Sequence, residues 1–148
     1  MSASPPERRK LFIDRNSGGR SFRACLAVAG LDVVLHDDEF PQTAADEDWM
    51  PAVGERQWIV ITGDNATTSS PLFLQRLDAS KTYVFVLLGL NGATPQGKAD
   101  CILRTYETML RLVRDKRAPA IWRIGKDGVA REFDFRRTLN RMRRNRKI

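Results

Sequence analysis

Two stretches of this chain, WIVIT at 58–62 and YVFVLLG at 83–89, are apolar at nearly every position. Successive side chains of a strand point to opposite faces, so a strand with one wet face alternates apolar with polar residues. A strand without that alternation has to be covered on both sides, as in a parallel sheet flanked by helices. Three further runs fit the scheme: KLFID at 10–14, DVVLH at 32–36 and PAIWRIG at 119–125. After the turn Gly125-Lys126-Asp127-Gly128, residues 129–135 can return as an edge hairpin. Helical patterns lie between the strands. Residues 18–29 place Phe22, Cys25, Leu26 and Ala29 on one face and close on Gly30. Residues 46–55 predict two short helical pieces, because a proline such as Pro51 inside a helix costs about 3 kcal/mol. A short helix over 71–78 follows Pro71. The longest helix, 95–115, is marked by Ile102, Leu103, Tyr106, Met109, Leu110 and Val113 at helical spacing. Alternating strands and helices predict an α/β fold: a single three-layer, doubly wound domain with a mainly parallel central sheet of four to five strands and right-handed crossovers.

The charge is unevenly spread. The chain carries a net +7, and residues 136–148 hold Arg136, Arg137, Arg141, Arg143, Arg144, Arg146 and Lys147 without a single acid, so the remaining residues sum to zero. The organisation expected is a polar, disordered leader over 1–9, a domain over 10–135 and a basic C-terminal tail over 136–148. Such a tail suits nucleic acid or an acidic partner, or is simply a solvated terminus. The two cysteines, Cys25 and Cys101, are too few and too far apart for a disulfide framework or a thiolate metal site, and they read as small buried hydrophobes. No apolar run reaches the 18 residues of a membrane span, and the polar first ten residues lack the apolar segment of a secretory signal. The expectation is a cytoplasmic protein with no membrane partner.

In doubly wound folds, ligands bind beyond the carboxyl ends of the parallel strands. Asp14 ends the first strand, Asp64 stands two residues past the third, and Asp46 opens the helix that leads into the third. Asp46 could serve only as a helix cap, and Asp64 only as a turn residue in Gly63-Asp64-Asn65. Asp14 is harder to assign to structure alone, since an acid closing a buried strand seldom serves packing. Carboxylates gathered at one edge repel one another, and a hard cation relieves that repulsion; Mg²⁺ takes one or two carboxylates together with waters and substrate phosphates. Metal-assisted phosphodiester hydrolysis needs this equipment and little else.

The segments FIDRNSGG (12–19), TAADEDWM (43–50) and WIVITGD (58–64), in this order and spacing, resemble the PIN-like domains of the VapC toxin type, and most of all the compact VapC45 PIN-like family. The resemblance covers about residues 10–125. It implies a PIN-like fold and a Mg²⁺- or Mn²⁺-dependent endoribonuclease, the toxin of a type II toxin–antitoxin pair. It also implies RNA and a cognate antitoxin protein as partners, and it allows a homodimer. Carried over residue by residue, Asp14, Asp46 and Asp64 would be both the catalytic acids and the metal ligands, with Glu47 or Asp48 as register alternatives to Asp46. Arg15, Thr62 and Asn65 would bind substrate. A fourth acid, usual in these nucleases, would fall to Asp38 or Glu39. After Asp64 the chain reads Asn-Ala-Thr-Thr where this branch usually carries basic residues. That departure supports the alternative of a catalytically inactive module that binds nucleic acid or a partner.

Other signals point elsewhere and are weaker. The stretch from Gly92 to Ala99 has the outline of a phosphate-binding loop, but Ala99 stands where a Ser or Thr would ligate Mg²⁺. Thr94 as a helix cap with Pro95 in the first turn explains it better. His36, the only histidine, reads as a strand-end surface residue, which excludes a histidine-rich zinc site. Trp49, Trp58 and Trp122 read as core or core-edge packing. A phosphoacceptor receiver-like domain would need paired acids at the end of the first strand, where Arg15-Asn16 stand instead.

Overall fold

A computed structural model describes residues 9–14, 19–41 and 43–146, with the side chains of Arg20, Asp46, Glu47 and Arg146 outside that description. Six strands form one sheet: β1 (Leu11–Ile13), β2 (Val33–Leu35), β3 (Ile59–Thr62), β4 (Tyr83–Leu87), β5 (Ala120–Ile124) and β6 (Ala130–Glu132). Their order is β2-β1-β3-β4-β5-β6. The first five are parallel, and β6 pairs antiparallel with β5 as the hairpin return. The sheet thus has one strand more than the sequence suggested, the addition being the short, exposed edge strand.

The apolar runs do what two-sided burial requires. Leu11, Ile13, Ile59, Ile61, Phe85, Leu87, Trp122 and Ile124 face one helical layer, while Phe12, Val60, Val84, Val86 and Ile121 face the other. The first layer is α1 (Arg20–Val28), represented by Phe22 and Leu26, and α5 (Pro95–Asp115), which buries Ile102, Tyr106, Met109 and Val113. The second layer is α3 (Asp46–Glu55), α4 (Pro71–Ser80) and α6 (Phe135–Arg146). Local chemistry sets several boundaries. Ser70 caps α4 by accepting from the Phe73 N–H at 3.3 Å, and Thr94 caps α5 by accepting from the Gly97 N–H at 3.1 Å, each followed by a proline in the first turn. Gly54 lets α3 meet the end of α4: a Cβ there would stand 2.2 Å from the Ser80 carbonyl oxygen.

Three expectations need correction. The segment around Pro51 is one helix of ten residues, not two pieces. Proline removes a single backbone bond, and the burial of Trp49, Met50 and Val53 offsets that loss. His36 is not on the surface. It opens the short helix α2 (His36–Glu39), is 3% exposed, and packs among the rings of Phe12, Phe40 and Trp49 with Nδ1 3.0 Å from Asp37 Oδ1. The crossovers are not all of one hand. The connections through α4 and α5 both step one strand in the same direction, yet α4 lies on one face and α5 on the other. Those through α1, α3 and α4 share one hand, and the connection through α5 has the opposite one. A parallel sheet has to be covered on both faces, and α1 alone leaves the β3–β5 side of its face open. Residues 88–94, which include the buried Leu90, carry the chain around the sheet end to close it. The basic stretch, whose order the sequence left open, is helical through Arg146, and Phe135 and Leu139 of that helix are 4% and 2% exposed within the second core. The leader, apart from Arg9, lies outside the described residues.

Replacing Leu139 by Ala tests how α6 is held. Removing a buried leucine should cost about 2–5 kcal/mol in denaturant unfolding. It should also open the arginine-rich helix to trypsin well before the rest of the chain is cut.

Candidate functional site

The reversal of strand order falls between β1 and β3. From β1 the chain moves outward to β2, then returns across β1 to β3 and continues to β4. The crevice beyond the carboxyl ends of those two strands is where doubly wound sheets place their ligands. Asp14 and Asp64 lie there. Asp14 follows β1 directly, and its N–H donates to the Ile61 carbonyl at 3.1 Å, which extends the β1–β3 ladder by one step. In that register Asp14 sits beside Thr62, on the face of Phe12 and Val60.

Thr62 ties the two acids together. Its side chain is 1% exposed, and its hydroxyl donates to Asp14 Oδ2 while accepting from the Asp64 N–H at 3.1 Å. The hydroxyl therefore fixes one carboxylate directly and the other through its backbone. Asp64 in turn caps the 3-10 turn Asn65–Ser69, with Oδ1 accepting from the Ala66 N–H at 2.9 Å. Its other carboxylate oxygen has no hydrogen bond among the described residues. Both aspartates are partly exposed. Gly63 is required between them, since a Cβ at that position would meet Asn91 Oδ1 at 2.3 Å and the Asn91 backbone nitrogen at 3.0 Å.

The remaining expected residues divide into those placed and those not. Asp46 begins α3, whose N-terminal end follows the carboxyl side of β2 and whose apolar residues pack on the face shared by Asp14 and Thr62. Its backbone is thus at the right edge, while its side chain and that of Glu47 lie outside the description. Asp48, the other register alternative, is occupied structurally, since its Oδ2 accepts from the Ala45 N–H at 3.0 Å and closes the first turn of α3. Asp38 accepts from the Leu35 N–H and pairs with Arg23, and Glu39 lies 3.4 Å from Arg56, so both candidates for a fourth acid are held in ion pairs. Asn65 is exposed at the start of the loop, and Arg15 lies outside the described residues. Thr62, expected to bind substrate, is buried, and its hydroxyl is engaged on both sides by Asp14 and the Asp64 N–H. Among the described residues no three His, Cys, Asp or Glu side chains converge as a metal-binding group.

One support was missed by sequence reasoning. Arg123 interrupts the apolar strand β5, and its Nη2 donates to Thr68 Oγ1 at 2.7 Å, with the guanidinium stacked 4.5 Å from the Phe133 ring centre. It braces the loop that carries Asp64. A lone charge inside an otherwise apolar strand was the available signal.

Replacing Thr62 by Val keeps the shape but removes the shared hydroxyl. Losing the two hydrogen bonds made by this buried hydroxyl should lower unfolding free energy by about 1–3 kcal/mol. Thr62→Ser should recover most of that loss in the same melt.

Compared with known proteins, a family model described as a PIN-like domain matches residues 9–89, more than half of the chain. No curated protein matches, and no solved structure does. No helix of the described residues is long and apolar enough to cross a membrane.

Proposed function

Because the chain belongs to the PIN-like domain family, we propose that it is a divalent-metal-dependent endoribonuclease acting at Asp14 and Asp64. The observation that carries this reading is the convergence of the two aspartates on Thr62 at the β1/β3 reversal. The donor set is hard oxygen throughout, and two carboxylates suffice for one Mg²⁺ or Mn²⁺ completed by water and phosphate. Asp14 and Asp64 would hold the cation, and Asp46 is the third ligand in this reading. When bound, the cation supplies Lewis acidity toward a phosphodiester oxygen and eases deprotonation of water. The chain's own part is to hold the two carboxylates without reorganisation through Thr62 and the cap at Ala66. Asn65 offers an exposed amide to a phosphate oxygen, and Arg15 is placed by sequence to do the same. The toxin role in a VapC-type pair, an antitoxin partner and a homodimer belong to the same proposal.

A second reading, an inactive binding module, draws on two observations: the ion-paired state of Asp38 and Glu39, and a stretch from Asn65 to Ser70 without Lys or Arg.

Asp14→Asn and Asp64→Asn should each reduce cleavage of a single-stranded RNA by about 10²-fold or more, and EDTA should abolish it. Calorimetric titration with Mn²⁺ should give binding to the wild type and none to Asp14→Asn. Cleavage that survives chelation and both substitutions would dismiss this site; absent Mn²⁺ binding in the wild type would favour the inactive module.

A further inference from the structure

We infer that α6 is a built-in grip for the nucleic-acid backbone, the solvent face of its arginines taking successive phosphates of an RNA strand. The inference names the contact surface for the substrate of the proposed nuclease and rests on that reading only for the choice of RNA. Helical spacing separates the two sides of α6. Phe135 and Leu139 turn inward and are buried against the second core, and Met142 on the same side is partly buried. Arg137, Arg141 and Arg144 recur at i, i+4 and i+7 on the outer side, all exposed. A shallow groove along the helix is lined by Arg136, Arg137, Asn140, Arg143 and Arg144, with Asp134 at its start.

These charges are uncompensated. Arg136 reaches Asp78 at 3.7 Å, but no carboxylate pairs with Arg137, Arg141, Arg143 or Arg144 among the described residues. Like charges one turn apart on a helix destabilise it slightly. A polyanion laid along the face reverses the sign of that interaction and releases its own counterions. The remaining acid, Asp134, accepts from the Arg137 N–H at 3.0 Å at the start of the helix.

The chemistry favours a phosphate backbone over an acidic protein. Stable protein interfaces have an apolar centre. The exposed large hydrophobics, Val28, Leu72, Leu88, Leu103 and Val129, all lie off α6. Its outer face offers guanidinium and amide donors alone, the groups that contact phosphate oxygens without reading sequence. The helix is also fixed at its base by Phe135 and Leu139, so the arginines are presented on a rigid element.

The test is fluorescence anisotropy of a labelled single-stranded RNA on the full chain in EDTA, across a salt series. Binding is then measured without cleavage, so a protein that fails to cut RNA can still pass. The variant Arg137→Gln/Arg141→Gln/Arg144→Gln should reduce the slope of log K against log salt by about 2, at about 0.7 per lost phosphate contact. The matched variant Arg104→Gln/Arg111→Gln/Arg114→Gln removes the same charge from the exposed side of α5 in the opposite layer and should leave the slope at its wild-type value. Replacing the α6 arginines by lysine should keep most of the slope. Equal losses from both glutamine variants, or no loss from the α6 variant, would overturn the proposal. So would a poly-glutamate peptide that binds as tightly as the RNA and is lost in the same variant, in favour of an acidic protein partner.

Discussion

Apolar saturation of β1, β3 and β4 on both faces governs the rest of this molecule. Leu11, Phe12, Ile13, Ile59, Val60 and Ile61 are all fully buried. Backbone groups in such strands can be satisfied only by the ladder, and side chains can meet only other apolar groups. Polar chemistry is thereby expelled to the ends of the strands. The register Ile13↔Ile61 then decides which polar residues emerge together, and it delivers Asp14 beside Thr62. The candidate site is a by-product of where the apolar pattern stops.

That origin gives the site a double character. Thr62 is the last buried residue of β3 and also the group that aligns both acids. Asp64 is at once a candidate ligand and the cap of the turn that follows it. The candidate site and the local fold draw on the same few hydrogen bonds, so the carboxylates are held by groups the fold requires in any case. Arg123 and Asn91, both on other strands or their exits, brace the same loop from the side.

Much of this was legible in the sequence, for reasons that differ by element. The two-sided apolar runs identified the parallel strands, and the Ser70-Pro71 and Thr94-Pro95 pairs marked helix starts, because these signals are local. Asp14 and Asp64 were legible because strand ends locate the ligand edge. What failed was long-range. Pro51 was weighed by its local cost, while Trp49, Met50 and Val53 supplied tertiary packing that outweighed it. His36 looked superficial because nothing nearby in sequence shows that Phe12, Phe40 and Trp49 close over it. The hand of the α5 crossover depends on which face still needed cover, and a linear pattern holds no record of that. The order of the basic stretch stayed open because its charge outweighs the one buried leucine within it, Leu139. Asp48, Asp38 and Glu39 could not be sorted into caps and ion pairs before their partners were in place.

The crossover through α5 has a further consequence for how this chain is divided. The family correspondence ends at residue 89, immediately after β4. Both halves of the candidate site lie inside that span, yet the cover that α1 leaves incomplete on one sheet face does not. Ile102, Tyr106 and Met109 of α5 pack in one core with Ile59, Ile61 and Phe85, and β5 pairs with the outer edge of β4 along its whole length. A chain stopped at residue 89 would hold every acid of the site and would present Phe85 and Leu87 to water beside an open strand edge, the arrangement that invites edge-to-edge association. The unit of family likeness and the unit of folding are therefore different lengths of the same chain: the shared segment carries the candidate site, and the remainder closes the sheet that holds it.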